Sequence, residues 1–250
     1  MNRIASALSS LPDLEEAAIF LDLDGTLLDL APTPEAVEAG TPLRRSLATL
    51  ARRCGGALAL LSGRRIADLD AILSPLRLPA AGAHGAELRL AADDAVRRLA
   101  PEIPDALRAA FLALADRDGL VVEDKGAAIA LHYRLAPGFD IDERRLAPLE
   151  AEAQAAGFSL LRGKKVLELK HARIDKGTAL EEFMARAPFE GRRPLFAGDD
   201  ATDEAAFAAL AKFGGVGIGV GRKFPGADYT VQSPSEMRAL ISAMAGRAPR

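Results

Sequence analysis

Apolar positions follow two rhythms along this 250-residue chain. Short apolar runs, Ala17 to Leu23 with Asp22 near its end, Ala57 to Leu61 and Pro194 to Ala197, suit parallel strands buried on both faces. Between them apolar residues recur every three or four positions. Leu43, Leu47 and Leu50 do so within a helix expected from Pro34 to Arg53 and closed by Cys54-Gly55-Gly56. Further helices are expected over Ile66 to Leu73, from Asp175-Lys176-Gly177 to Arg186, and over 204–211. A third strand is expected over Ala80 to Glu87 and a last one over Gly214 to Val220. Weak alternation from Leu88 to Leu99 around Asp93-Asp94 suggests a hairpin. The first dozen residues read as a short amphipathic helix before Pro12. This order predicts an α/β fold built on a doubly wound, Rossmann-like parallel sheet.

Beyond Pro101 and Pro104 the pattern changes. A helix over Ala106 to Ala115, one strand or two over Leu120 to Arg134, a helix over Asp140 to Ala156 and a hairpin over Phe158 to Leu169 around Gly163 interrupt the doubly wound alternation. The simplest organisation is a core of 1–104 and 173–250 with a smaller α/β domain, 105–172, inserted into it.

Composition narrows the partners. With 49% hydrophobic and 27% charged residues the chain is an ordinary globular sequence. A net charge of −3 argues against nucleic acid as a partner, though a local cluster of cations suffices for a phosphorylated small molecule. The single cysteine, Cys54, excludes an internal disulfide, suits a reducing compartment and reads as a small apolar residue. No basic-flanked apolar leader and no apolar stretch of about 18 residues is present, so the expectation is a cytoplasmic protein with no membrane partner. A monomer is expected, although oligomeric state is not written in the sequence.

Several polar residues stand where strands end or helices begin: Asp22 and Asp24, Ser62, Lys176, and Asp199, Asp200 and Asp203. In an open parallel sheet these ends converge on one crevice. Carboxylates brought that close repel, and a divalent cation compensates; all-oxygen ligands select a hard ion such as Mg2+. Mg2+ beside a lysine is equipment for phosphoryl transfer. No G-x-x-x-x-G-K-[ST] loop is present, which leaves the phosphate to Ser62, Lys176 and the backbone amides after Asp22.

Asp22-Leu-Asp24-Gly25-Thr26-Leu27, Ser62, Lys176 and Gly198-Asp199-Asp200-Ala-Thr-Asp203 resemble, in order and spacing, the four motifs of the haloacid dehalogenase superfamily of aspartate-nucleophile phosphatases. Ser62-Gly63-Arg64, Gly82-Ala-His84-Gly85-Ala-Glu87, Glu123-Asp-Lys125 leading to His132-Tyr133-Arg134, and Glu168-Leu-Lys170 narrow the likeness to the trehalose-6-phosphate phosphatases. The likeness runs from about Phe20 to about Gly221, and the inserted domain is similar to the cap those enzymes carry.

The resemblance implies hydrolysis of trehalose 6-phosphate. Asp22 would be the nucleophile and Asp24 the acid and then the base. Mg2+ would be held by Asp22, the Asp24 carbonyl and Asp199, with Asp200 and Asp203 orienting its waters or Lys176. Thr26 and Ser62 would donate to phosphate oxygens, and Lys176 would supply a fixed charge. Gly63 belongs to the phosphate-binding turn. Arg64 is a candidate for phosphate or a core carboxylate, and His84, with Glu87, for the sugar or a structural pair. Glu123, Lys125 and Glu168 are the candidates for sugar hydroxyls. His132 and Arg134 are expected on one strand face, His132 as a structural group or a sugar contact. The basic bias of Arg162, Lys164, Lys165, Lys170 and Arg173 either steers a phosphosugar dianion or is ordinary surface. Phosphatases of sucrose phosphate or mannosylglycerate phosphate share such a core, and a phosphosugar mutase shares its aspartyl-phosphate.

Overall fold

In the computed structural model the described residues are 11–30, 37–115, 119–136, 138–139, 141–163 and 165–247. The expected N-terminal helix and residues 34–36 of the helix expected from Pro34 lie outside them; residues 37–40 are not helical, and that helix begins at Thr41, where Pro42 stands in its first turn. In chain order the elements are β1 (Ala17–Leu21), α1 (Thr41–Arg53), β2 (Leu58–Leu61), α2 (Ile66–Leu73), β3 (Ala80–Gly82), β4 (Glu87–Arg89) and β5 (Arg97–Arg98). Next come α3 (Asp105–Leu112), β6 (Val121–Asp124), β7 (Ala128–His132), α4 (Glu143–Ala155), β8 (Phe158–Gly163) and β9 (Val166–His171). The chain closes with α5 (Lys176–Met184), β10 (Arg193–Gly198), α6 (Glu204–Leu210), β11 (Val216–Val220), β12 (Tyr229–Val231) and α7 (Pro234–Gly246).

Two compact units result, Met1–Arg97 with Asp175–Arg250, and Arg98–Ile174. The boundaries differ by seven and two residues from those expected; β5 straddles the first, and Lys170 Nζ lies 2.7 Å from the Ile174 carbonyl just before the second.

The larger unit carries an eight-stranded sheet in the order β12-β11-β10-β1-β2-β3-β4-β5. From β12 to β3 every pairing is parallel, and β4 returns antiparallel to β3. The chain proceeds outward from β1 through β2 and β3, then restarts on its other side with β10. The β1/β10 boundary is therefore the topological switch point, where such sheets open a crevice at their carboxyl ends. Strands β1 and β2 are buried throughout, which explains their unbroken apolar composition. The amphipathic α1 buries Leu43, Leu47 and Leu50.

The run expected as one strand over Ala80 to Glu87 is broken. After Gly82 the chain makes a tight turn in which Ala83 and His84 take left-handed φ values of 47° and 57°, and β4 then reverses direction. A strand β12 and a helix α7, unpredicted from the sequence, complete the sheet edge and one face. Ser233 caps α7 by accepting from the Glu236 amide at 3.3 Å, with Pro234 at the first helical position.

The smaller unit is a four-stranded antiparallel sheet, β6-β7-β9-β8, with α3 and α4. Leu120 to Arg134 forms two strands, turning at Lys125 to Ala127, and Arg134 lies in a turn beyond β7, not on its face. One face of this sheet contributes Ile129, Leu131, Leu167 and Leu169 to an apolar core with Leu107, Phe111, Leu146, Leu149 and Phe158. The opposite face alternates to Glu123, Ala130, His132 and Glu168, as a period of two requires. Of the cations in the basic segment, Arg162 pairs with Glu143 at 2.5 Å and Lys165 lies over the Tyr133 ring; Lys164 is outside the described residues.

Candidate active site

Asp22 follows β1 directly, and its amide donates to the Ala197 carbonyl of β10 at 3.0 Å, so its position is fixed by the switch point itself. Asp199 follows β10. Lys176 opens α5, held there by Asp175, whose carboxylate accepts from the Thr178 amide at 2.8 Å while the Thr178 hydroxyl closes a capping box. Lys176 Nζ reaches Asp22 Oδ1 at 2.7 Å and Asp203 Oδ1 at 2.6 Å. The other Asp203 oxygen accepts from the amides of Asp199 and Asp200 at 2.9 and 3.0 Å. Asp203, fully buried, thus locks both the lysine and the loop that carries Asp199.

Asp22, Asp199 and Asp203 each offer an oxygen, all within 4.8 Å of one another. Three ionised carboxylates against one ammonium leave two negative charges, which one divalent cation would balance. Burial pushes the Asp22 carboxyl well above its ordinary value against the pull of Lys176, with Asp203 and Asp199 adding to the rise. Burial opposes the charge on Lys176, but Asp203 and Asp22 outweigh it and hold its ammonium form above the ordinary lysine range. An all-carboxylate, electron-rich set of this kind fits a hard divalent ion. Asp203 stands within that acidic group, whereas Asp200 caps the turn at Ala201, its oxygen 2.6 Å from the Ala201 amide.

Gly25 shapes the approach. It has φ +82°, and a Cβ there would collide with the Asp199 carboxylate, so glycine alone allows both the turn and the close passage. Thr26, expected on phosphate, is buried with its hydroxyl 3.3 Å from Asp199 Oδ1. The side chain of Asp24 stands outside the acidic group and pairs with Arg64. Ser62 is buried at the end of β2, and its Oγ accepts from the Arg64 amide at 3.1 Å, which leaves its own proton to donate. Gly63 passes under the His84 ring: a Cβ would lie 2.6 Å from His84 Nε2. Glu87 is structural, its Oε2 accepting from the Ile66 amide at 2.8 Å at the start of α2.

In the smaller unit, Glu123, Lys125 and Glu168 form one cluster. Register aligns Glu123 with Ala130 and Ala130 with Glu168, so the glutamates flank one small residue. Lys125 Nζ lies 3.1 Å from Glu168 Oε1 and 3.5 Å from Glu123 Oε2, and His132 Nε2 lies 3.0 Å from Glu123 Oε2. Burial raises Glu123, but the His132 hydrogen bond and the Lys125 charge bring its carboxyl below the ordinary value. Lys125 is raised because Glu168 and Glu123 outweigh burial. The sequence named all four residues, His132 as a structural group or a sugar contact; that its partner is Glu123 required the strand pairing.

Comparison with known proteins decides the family. The family model described as trehalose-phosphatase matches residues 20–238. The chain belongs to the trehalose-phosphatase family. A probable trehalose-phosphate phosphatase of Sinorhizobium fredii is 41% identical over 96% of this chain and 91% of its own length. Trehalose-6-phosphate phosphatase of Escherichia coli is 39% identical, over 86% and 81% respectively. Among solved structures, the C-terminal domain of Candida albicans trehalose-6-phosphate phosphatase matches with a TM-score of 0.80 at 20% identity, covering 93% of each chain, which carries the fold. Among the described residues of this family member no helix is long and apolar enough to cross a membrane.

Proposed function

We propose that this protein hydrolyses trehalose 6-phosphate to trehalose and phosphate through an aspartyl-phosphate on Asp22. The observation that carries the proposal is the buried Asp22, Lys176, Asp203 and Asp199 group at the switch point of a trehalose-phosphatase family chain. An Asp22 oxygen attacks phosphorus while the bond from phosphorus to the sugar oxygen breaks, and Asp24 gives that oxygen its proton. Water then attacks phosphorus, passes a proton to Asp24, and the bond to Asp22 breaks. Ser62 donates to a phosphate oxygen, Lys176 balances its charge, and Asp203 keeps Lys176 in place.

Mg2+ is the proposed cofactor, held by Asp22, Asp199 and the Asp24 carbonyl. Bound there, it supplies charge neutralisation for the transferring phosphoryl group. Sugar hydroxyls are assigned to Glu123, Lys125 and Glu168, whose ionised groups make the stronger hydrogen bonds.

Phosphate release from trehalose 6-phosphate, sucrose phosphate, mannosylglycerate phosphate and glucose 6-phosphate tests the reading. The expected kcat/KM for trehalose 6-phosphate exceeds the others by about 100-fold or more, since unpaired polar groups penalise the wrong sugar. A chelator is expected to abolish turnover and added Mg2+ to restore it. Equal rates across the panel contradict the assignment.

A further inference from the structure

We propose that Arg64 is a positioning residue for proton transfer: it holds the Asp24 carboxylate in working orientation and ties it to the turn at Ser62. This rests on the reading of Asp24 as the acid and base. Arg64 Nε lies 2.6 Å from Asp24 Oδ2, and its Nη2 lies 2.8 Å from Oδ1. A planar fork that engages both oxygens fixes the rotation of the carboxylate, which a single contact or a lysine does not.

The base of the fork is itself fixed. The Arg64 amide donates to Ser62 Oγ at 3.1 Å, the Arg64 carbonyl accepts from the Ala83 amide at 2.7 Å, and the His84 amide donates to the Ser62 carbonyl at 3.0 Å. A Cβ on Gly82 would lie 2.8 Å from the Arg64 carbonyl oxygen, so this turn has no slack. One residue therefore joins the Asp24 carboxylate to the serine assigned to phosphate.

Asp24 needs such a partner. Its side chain is 27% exposed, against 6% for Asp22, so packing restrains it less than its buried neighbour. The fork occupies two of about four lone-pair sites on the carboxylate and leaves the others for the proton in flight. In the first displacement that proton leaves Asp24 for the sugar oxygen. In the second it returns to Asp24 from the attacking water.

Rapid mixing with p-nitrophenyl phosphate and Mg2+ separates the two displacements, because nitrophenolate leaves without a proton. We expect Arg64→Gln to release about one nitrophenolate per active site in a burst and then turn over at least about tenfold more slowly than wild type. Its KM for trehalose 6-phosphate should stay within about threefold of wild type, and Arg64→Lys should recover part of the loss. Combined with Asp24→Asn, it should add nothing further, since the two act as one unit. A KM raised about tenfold or more with kcat unchanged, losses that add to those of Asp24→Asn, or slowing without a burst each overturn the inference. If Asp24→Asn itself keeps wild-type turnover, the acid and base reading has failed. If Asp24→Asn is slow while Arg64→Gln turns over as wild type, only the role of Arg64 has.

Discussion

At the scale of single residues, Asp22 and Asp24 illustrate how alternate positions separate two jobs. One side chain turns into a buried ion-pair group with Lys176 and Asp203; the other meets Arg64 where solvent reaches it. Replacing Asp22 by Asn keeps the volume and relieves a crowded set of negative charges, but the amide is no nucleophile. We expect Asp22→Asn to melt no lower than wild type in a thermal scan and to retain less than about 1% of the phosphate release. The motif residues were legible because each sits at a strand end or helix start that the apolar pattern reveals. Their partners were less so: a core carboxylate was one of two readings for Arg64, but that it is Asp24, or that Thr26 meets Asp199, depends on the crossing of strands distant in sequence.

At the scale of elements, the periodic segments became strands and helices, Ile66–Leu73 to the residue, while the helix expected from Pro34 starts only at Thr41. The β3 to β4 turn did not, because its left-handed backbone falls on Ala83 and His84, residues that do not advertise it. The reversal leaves Arg89 of β4 fully buried, its guanidinium paired with Asp70 of α2 at 2.6 and 2.7 Å and hydrogen-bonded to the Leu78 carbonyl. Burial raises Asp70, but the hydrogen bonds and charge of Arg89, with Arg77, bring it below the ordinary 3.8. A depressed carboxylate contributes stability that is present above its unfolded pKa and lost as pH falls through its folded one. Asp70→Asn should cost about 2–3 kcal/mol in urea unfolding at pH 7, the low side for a broken buried pair because Asp70 reaches solvent. The gap from wild type should hold down to about pH 4 and close below it. In the smaller sheet, the row of Glu123, Ala130 and Glu168 belongs to the pairing of three strands. Glu123→Ala should raise KM for trehalose 6-phosphate about tenfold, the loss of one charged hydrogen bond, and change KM for p-nitrophenyl phosphate less than about twofold.

At the scale of the whole molecule, the sequence shows an insertion because proline-bounded texture changes where the doubly wound alternation stops. It does not show the sheet's far edge strand β12, whose three residues are too few for a period; the signal for α7 is present, in the helical spacing of Met237, Leu240, Ile241 and Met244 behind the Ser233-Pro234-Ser-Glu236 cap. The proposal assigns phosphate, nucleophile and metal ligands to residues of the larger unit and sugar hydroxyls to residues of the smaller one. The claim on which both depend is a covalent bond from phosphorus to Asp22 during turnover of trehalose 6-phosphate. It is tested most directly by quenching the Mg2+-loaded enzyme in acid during turnover of phosphorus-labelled trehalose 6-phosphate and mapping the label. The account predicts an alkali-labile phosphoryl group on the peptide that carries Asp22, absent in Asp22→Asn. Phosphate release with no label retained by the protein, or label on another residue, would contradict it.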